Sequence, residues 1–167
     1  MPARSPAPVI RRARPDELEA VGRLTVEAYV GNGVIAPDAH YLEFLGDAVG
    51  RDAEAEVWVA VDVRGVVGTV TFVEPGSLLS EVSRDGEAEM RSLAVDPAAS
   101  GEGIGEALAR HSVDLARSRG FRAVVLSSST TMHTAHRIYE RLGFTRLPER
   151  DWSPVADVQL VAYALAL

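Results

Sequence analysis

The sequence predicts a single domain of the α/β (α+β) class, built on a mixed, mostly antiparallel sheet. Three segments rich in β-branched residues follow one another between residues 57 and 95, and only a turn and a loop separate them, which is typical of antiparallel neighbours. A helix then joins the third segment to a further strand, and such a crossover connects parallel neighbours. The length of 167 residues and the hydrophobic content of 47% suit one domain with one core.

The first part of the chain predicts a strand followed by two helices. Residues 9–12 form a short apolar-to-basic strand, and Pro15 with the two acids after it suits the first turn of a helix. Apolar residues at helical spacing extend this helix to about Tyr29. A second helical pattern covers residues 37–50, where a proline and an aspartate open it and a glycine ends it.

The middle of the chain predicts three strands and a long helix. The helix begins near Ile104, carries an apolar stripe on one face and charged residues on the other, and stops at Gly120. The predicted strands cover residues 57–62, 66–74 and 87–95, with a hairpin turn at residues 63–65.

The last part of the chain predicts the crossover strand, another helix and two final strands. Residues 122–127 read as a buried strand, and a helix follows Thr130 and ends at Gly143. Residues 144–147 and 155–166 are predicted as strands. No repeat or internal linker interrupts this order.

Composition argues against several classes of partner and chemistry. The formal net charge of −7 repels phosphate backbones, so no nucleic acid is expected. The sequence has no cysteine, which excludes disulfides, thiolate metal sites and an acyl-cysteine intermediate. No apolar stretch approaches the roughly 20 residues that cross a bilayer. Residues 1–8 are interpreted as a disordered tail without a signal-peptide core, residues 9–167 as the domain, and the location as cytoplasmic.

A glycine-rich segment connects the third central strand to the long helix. Its sequence Ser100-Gly101-Glu102-Gly103-Ile104-Gly105 exposes backbone N–H groups beside a helix N-terminus, where phosphate groups are stabilised. The next residue, Glu106, fits neither a P-loop, which needs lysine there, nor a dinucleotide fingerprint, which needs glycine or alanine. A purely structural loop that starts a helix is the alternative interpretation.

Three separated runs carry a more specific signal. They are AEMRSLAVDP at residues 88–97, SGEGIG at residues 100–105 and IYERLGF at residues 138–144. Together they resemble the GNAT superfamily of N-acetyltransferases, and the predicted element order agrees with that family from residue 9 to residue 167. The resemblance implies a central sheet with helices on both faces, in which a parallel strand pair splays apart. It also implies acetyl-CoA as a cosubstrate.

The same resemblance implies where acetyl-CoA binds. The pantetheine arm would bond to the strand backbone in the splay, and the pyrophosphate would contact the loop amides. Ser100 stands where the family usually has arginine or glutamine, and Glu102 stands where a basic residue is common. A charge-assisted contact is therefore missing, and Glu102 adds repulsion. The implied binding residues are Leu93, Ala94, Val95, Ser100, Gly101, Glu102, Gly103, Ile104, Gly105 and Glu106.

Two side chains are candidates for the chemistry. Acyl transfer to an amine needs a base for the amine, support for the oxyanion and a proton for the departing thiolate. The resemblance implies that Tyr139 protonates the CoA sulfur, and a packed core tyrosine is the alternative. It also implies Glu89 as general base, against an ion pair with Arg91 or a solvated charge. The oxyanion donor is expected to be the N–H of Val95 or Ala94.

Strand alternation and the histidines add further expectations. Alternation places Glu89, Arg91, Leu93 and Val95 on one face of their strand. His133 is expected to contact the cofactor near the start of its helix, although a solvated histidine is the alternative. His133 and His136 lack a third ligand nearby in the sequence, so no metal is expected. His111 is expected to pack in the core.

The resulting function hypothesis is an N-acetyltransferase that acts by direct transfer in a ternary complex. The alternative is a catalytically inactive acyl-CoA-binding regulatory module, which Ser100 and Glu102 favour and Tyr139 opposes. The acceptor is expected to be a small-molecule or peptide amine, and a homodimer is left open. A cationic amine is mildly favoured by a group of acids at Glu43, Asp47, Asp85, Glu87 and Glu89.

Overall fold

The computed structural model describes residues 6–33, 40–156 and 158–167. In chain order its elements are β1 (Val9–Arg12), α1 (Leu18–Gly31), α2 (Tyr41–Gly46), α3 (Ala48–Glu54), β2 (Glu56–Asp62), β3 (Gly65–Val73), β4 (Glu87–Val95), α4 (Ile104–Ser118), β5 (Ala123–Ser129), α5 (His133–Arg141), β6 (Thr145–Arg146), β7 (Trp152–Val155) and β8 (Val158–Ala166). Residues 1–5 of the predicted tail lie outside the described residues. Among the described helices, none combines the length and the apolar character that crossing a bilayer requires.

The eight strands of the described residues join one sheet. The strand order is β1-β2-β3-β4-β5-β8-β6, and β7 also pairs with β8. The β4–β5 pair is parallel and the other described pairs are antiparallel, which confirms the mixed, mostly antiparallel sheet. β4 and β5 are paired only from Glu87↔Ala123 to Glu89↔Val125, although both strands continue. The predicted splay of the parallel pair is therefore confirmed.

Helices cover both faces of the sheet, as predicted. α4 buries Leu108 and Ala109 completely in the larger core cluster, against the sheet residues Phe72 and Met90. On the opposite face, α1 and α3 pack in a separate cluster that includes Val21. Each fully buried aliphatic side chain contributes about 1.5–3 kcal/mol, so both faces stabilise the sheet. His111 is half-buried on α4, and its ring centre lies 4.4 Å from that of Trp58.

β4 contains a bulge at Ser92. The register between β3 and β4 shifts between Thr69 and Thr71, because β4 carries one extra residue there. Ser92 has a φ of 53°, in the left-handed region that a residue with a side chain adopts rarely. Its hydroxyl is buried and has no hydrogen-bond partner among the described residues.

The bulge reverses which side chains face which side of the sheet. Before it, Ala88 and Met90 belong to the core cluster under α4; after it, Leu93 and Val95 pack against that cluster. Ala94 packs on the other face, in the cluster with two residues of α1. The predicted shared face of Glu89, Arg91, Leu93 and Val95 is therefore wrong, because one inserted residue shifts a period-two pattern to the opposite face.

Two predicted elements are each divided in the structure. The second predicted helix is two helices, α2 and α3, and its predicted start at residues 37–38 lies outside the described residues. Asp47 separates them and caps α3, since its carboxylate accepts the N–H of Gly50 at 2.9 Å. The predicted final strand, residues 155–166, is also divided, because Val155 ends β7 and Val158–Ala166 form β8; the rest of β7 was not predicted.

Candidate active site

A cleft of about 490 Å³ opens where β4 and β5 part. Its walls are the C-terminal half of β4, the glycine-rich loop, the first turn of α4, one face of α5 and the C-terminal end of α1. All the predicted cofactor-binding residues except Glu102 line this cleft. They are Leu93, Ala94, Val95, Ser100, Gly101, Gly103, Ile104, Gly105, Glu106 and His133.

The glycine-rich loop presents open backbone to the cleft. Gly101 and Gly103 both have a φ of +81°, which glycine adopts without steric cost. A Cβ at either position would meet no atom within 4 Å, so space is free above the loop. Gly103 is the N-cap of α4 and supplies no side-chain cap. The first N–H groups of this helix are therefore available to an anion.

Gly105 fulfils a different requirement of the same loop. A Cβ on Gly105 would lie 3.2 Å from Cδ1 of Ile138, which is tighter than ordinary van der Waals contact. The missing side chain lets the start of α4 approach α5. The two walls of the cleft are brought together at this point.

The open edge of β4 supplies backbone donors. The N–H of Asp96 donates to the carbonyl of Val67 on β3 at 2.9 Å. Consecutive N–H groups of a strand point to opposite edges, so the N–H of Val95 points to the edge that β5 has left. Of the two expected oxyanion donors, this geometry favours Val95 over Ala94.

Glu102 turns out of the cleft towards the β2–β3 hairpin. Its carboxylate forms two bonds with Arg64, from Nη2 to Oε2 at 2.7 Å and from Nη1 to Oε1 at 3.1 Å. The hydrogen bonds from Arg64 lower the pKa of the Glu102 carboxyl below its usual range. The repulsion that the sequence predicts between Glu102 and a phosphate is therefore reduced by a cation, which Glu102 shares with Asp62. Ser100 lines the cleft and is exposed.

Several cleft residues were missed by the sequence analysis. Arg137 and Arg141 lie one turn apart on α5 and bring positive charge to the cleft wall. Arg141 Nε lies 2.9 Å from Oε1 of Glu106, whereas Arg137 has no ion pair among the described residues. Their spacing in the sequence places them on one face of α5, but nothing in the sequence shows that this face borders the loop. Tyr29 also lines the cleft, from α1.

Tyr139 lies behind the cleft wall. It is 5% exposed, and its ring centre lies 5.8 Å from those of both Phe144 and Tyr163. Within the described residues no group accepts a hydrogen bond from its hydroxyl. Burial raises the pKa of that hydroxyl above its usual range, so it stays protonated at neutral pH. The proton-donor role of Tyr139 stays a prediction: its hydroxyl is protonated, but Tyr139 is not among the residues that line the cleft.

Glu89 is 0% exposed and does not line the cleft. Its Oε1 accepts the N–H groups of Glu81, Val82 and Ser83 at 3.1, 3.0 and 2.8 Å. Its Oε2 accepts the N–H of Glu81 at 3.2 Å. The general-base role stays a prediction, while these contacts show that Glu89 holds the loop before β4. An ion pair with Arg91, the sequence alternative, is not what is found, because Arg91 pairs with Glu81.

The histidines do not form a metal centre in the described part of the chain. His133 lines the cleft, and its ring centre lies 6.0 Å from that of His136. No group of three potential ligands (histidine, cysteine or carboxylate) comes together among residues 6–33, 40–156 and 158–167. The position of His133 is compatible with its expected cofactor contact.

Comparison with known proteins decides the family. The sequence model of the Acetyltransferase (GNAT) family matches residues 18–144, which include the cleft-lining residues of β4, the loop and α5. The chain belongs to the GNAT family of acetyltransferases. The family predicted from the sequence is confirmed, and with it the class of enzyme to which such a domain belongs, the acyltransferases.

Individual proteins resemble the chain in sequence or in fold. The N-acetylaspartate synthetase of Danio rerio is 35% identical over 94 residues, which cover 56% of this chain and 31% of that protein. A GNAT acetyltransferase structure from Staphylococcus aureus Mu50 has a TM-score of 0.74 at 15% identity and covers 96% of this chain and 99% of its own. A GNAT acetyltransferase from Brucella melitensis, solved in complex with acetyl-CoA, has a TM-score of 0.63 at 26% identity, with coverages of 95% and 87%.

The curated relatives are longer proteins than this one. The chain spans 29% to 47% of the length of these curated relatives. What those proteins do as a whole therefore does not transfer with the family.

Replacing Arg137 tests whether the α5 cation serves this GNAT cleft. We expect Arg137→Ala to weaken acetyl-CoA binding about three- to tenfold at low ionic strength, with less effect in high salt. Calorimetric titrations at two salt concentrations measure this. Arg117→Ala removes an equal charge from the far end of α4 and is the control. Equal effects of the two variants would contradict a role for Arg137 in the cleft.

Replacing Glu89 tests its structural contacts. In Glu89→Gln an amide nitrogen faces backbone N–H donors, so we expect a loss of about 2–4 kcal/mol in the free energy of unfolding and a melting temperature lower by roughly 5–15 °C. Glu19→Gln, at an exposed carboxylate on α1, is the control. A change below 2 °C would contradict the anchoring role. Turnover that recovers at high pH, where free amine is abundant, would support the base role in addition.

Proposed function

We propose that this domain transfers an acetyl group from acetyl-CoA to an amine acceptor by direct transfer in a ternary complex. The observation that carries the proposal is the cleft itself. It combines an open strand edge with an uncapped helix N-terminus behind two left-handed glycines, which suit an extended amide-bearing arm and a diphosphate. Acetyl-CoA, when bound, supplies the activated acetyl group as a thioester.

The chain's own residues would divide the remaining tasks. The amides of residues 101–106 would bind the diphosphate, with Arg137 and Arg141 contributing charge. The N–H of Val95 would stabilise the negative oxygen that develops during transfer. Tyr139 would donate a proton to the departing sulfur, since its hydroxyl is protonated and unshared among the described residues, and Glu89 or a water would accept the proton that the amine loses.

The acceptor is proposed to be a small-molecule or peptide amine. The acids that favoured a cationic amine in the sequence analysis are largely occupied by internal contacts. Glu87 Oε1 lies 2.6 Å from Nη1 of Arg150, Glu89 accepts backbone N–H groups, and Asp47 caps α3. That preference is therefore withdrawn. Similarity to N-acetylaspartate synthetases makes aspartate one member of the first acceptor panel. A cytoplasmic location and a homodimer stay predictions.

Turnover of acetyl-CoA with a panel of amines tests the proposed function. Release of the CoA thiol can be followed with a thiol reagent without background, because the chain has no cysteine. Direct transfer predicts saturation by both substrates and intersecting double-reciprocal lines. Parallel lines would contradict a ternary complex and indicate an acyl-enzyme. Acetyl-CoA binding without turnover of any amine would instead support the alternative, an inactive acyl-CoA-binding module.

A further inference from the structure

The ion pair between Glu102 and Arg64 connects two distant parts of the chain at the edge of the cleft. Arg64 lies in the turn between β2 and β3, 38 positions before Glu102. Its guanidinium donates one hydrogen bond to each oxygen of the Glu102 carboxylate. Arg64 is itself held by Asp62, whose Oδ1 accepts the backbone N–H of Arg64 at 2.8 Å and the side-chain Nε at 3.2 Å. Asp62 therefore holds the Arg64 guanidinium from one side, and the glycine-rich loop contacts it from the other.

We infer that Arg64, a cation shared between Asp62 and Glu102, is a positioning residue for CoA binding, which holds the Glu102 carboxylate away from the diphosphate site. The inference rests on the proposed function, because it assumes that the amides of residues 101–106 bind the diphosphate. Arg64 does not line the cleft, so it acts on the ligand through Glu102.

The position of Glu102 gives the pair its importance. Glu102 lies between Gly101 and Gly103, the two residues whose left-handed conformation opens the loop. A side chain at this point of an exposed loop could turn either to the solvent edge or towards the bound anion. A Glu102 carboxylate turned towards the bound anion would repel its phosphate groups, and this repulsion is strongest at low ionic strength. A fixed bidentate partner removes the unfavourable orientation.

An exposed ion pair can also be without consequence. Surface pairs contribute little to stability, and the side chains of Arg64 and Glu102 are 40% and 46% exposed. The inference therefore does not predict a large change in the melting temperature. It predicts a change in ligand affinity that depends on salt and on the presence of Glu102, and an inert surface pair would show neither.

A double-mutant cycle on CoA affinity tests the inference. Calorimetric titration with CoA is made on the wild type, Arg64→Ala, Glu102→Gln and the double variant, at about 20 mM and 500 mM salt. We expect Arg64→Ala to raise the Kd about three- to tenfold at low salt and less at high salt. We expect the double variant to bind as tightly as Glu102→Gln alone. Arg23→Ala, which breaks the exposed pair with Glu19 on α1, is the control for lost charge and should change the Kd less than twofold.

The other possible results of these titrations would overturn either the inference or the proposed function. An unchanged Kd in Arg64→Ala overturns the inference, and so does a double variant that stays as weak as Arg64→Ala, because Arg64 would then attract the phosphates directly. A wild type that binds no CoA overturns the proposed function, and the inference with it. Melting curves of all variants verify that the proteins compared are folded.

Discussion

Acetyl-CoA binding falls by at least about 100-fold when Gly103 is replaced by aspartate. This is the expected result because the new carboxylate would lie at the N-cap of α4, where it could accept the helix N–H groups in place of a phosphate. It would also repel the diphosphate at close range. The space above Gly103 is open, so the side chain fits without a clash, and calorimetry measures the loss.

The left-handed conformation at Gly103 requires a neutral control. Gly103→Asn has nearly the same size and tolerates a positive φ better than most residues, but it brings no charge. We expect this variant to lose far less affinity than the aspartate variant, with similar melting temperatures for both. Equal losses would mean that shape rather than charge governs the loop, and unchanged affinity in Gly103→Asp would remove the loop from the CoA site.

Tyr139→Phe has the second large expected effect, on the rate. The substitution keeps the ring contacts with Phe144 and Tyr163 and removes only the hydroxyl, so binding and the melting temperature should be preserved. If the hydroxyl protonates the departing sulfur, the turnover number falls by about 100-fold, the lower end for general acid catalysis, because a thiol with a pKa of roughly 8.5 is a tolerable leaving group. Steady-state kinetics with an accepted amine measure this change.

Tyr29 is the other candidate proton donor and is tested beside Tyr139. It lines the cleft directly, and burial raises the pKa of its hydroxyl as well, so it is the rival proton donor. A full rate in Tyr139→Phe together with a large loss in Tyr29→Phe would transfer the role to Tyr29. Full rates in both variants would leave water as the acid. A much lower melting temperature in Tyr139→Phe would identify its hydroxyl as a structural partner instead.

The sequence could predict most of the fold because helices and strands depend on local patterns, whereas the splay and the cleft were implied by the resemblance to the GNAT superfamily. Apolar periodicity places the helices and strands, and the alternating glycines mark a left-handed loop before α4. The bulge at Ser92 gave no such signal. Glycine, asparagine and aspartate are the residues that indicate a positive φ in a sequence. A serine within a strand indicates only the ordinary alternation of side chains between the two faces.

Contacts between segments that are distant in the sequence were the second feature that the sequence could not predict. The acid at position 102 suggested repulsion, because nothing local shows that Arg64 will lie beside it. Glu89 suggested a base for a similar reason. Its partners are backbone N–H groups of the preceding loop, and a sequence pattern does not show which carboxylate a loop will fold around.

The bulge at Ser92 has a consequence for how such a protein can change over time. The first half of β4 turns its charged side chains towards the loop before the strand, and the second half turns apolar side chains towards the cleft. Mutations before Ser92 therefore affect contacts with the preceding loop, and mutations after it affect the cleft, although only one residue separates the two halves of β4. A lineage could alter the charged half, and with it the packing of the preceding loop, while the half that lines the cleft stays under its own selection.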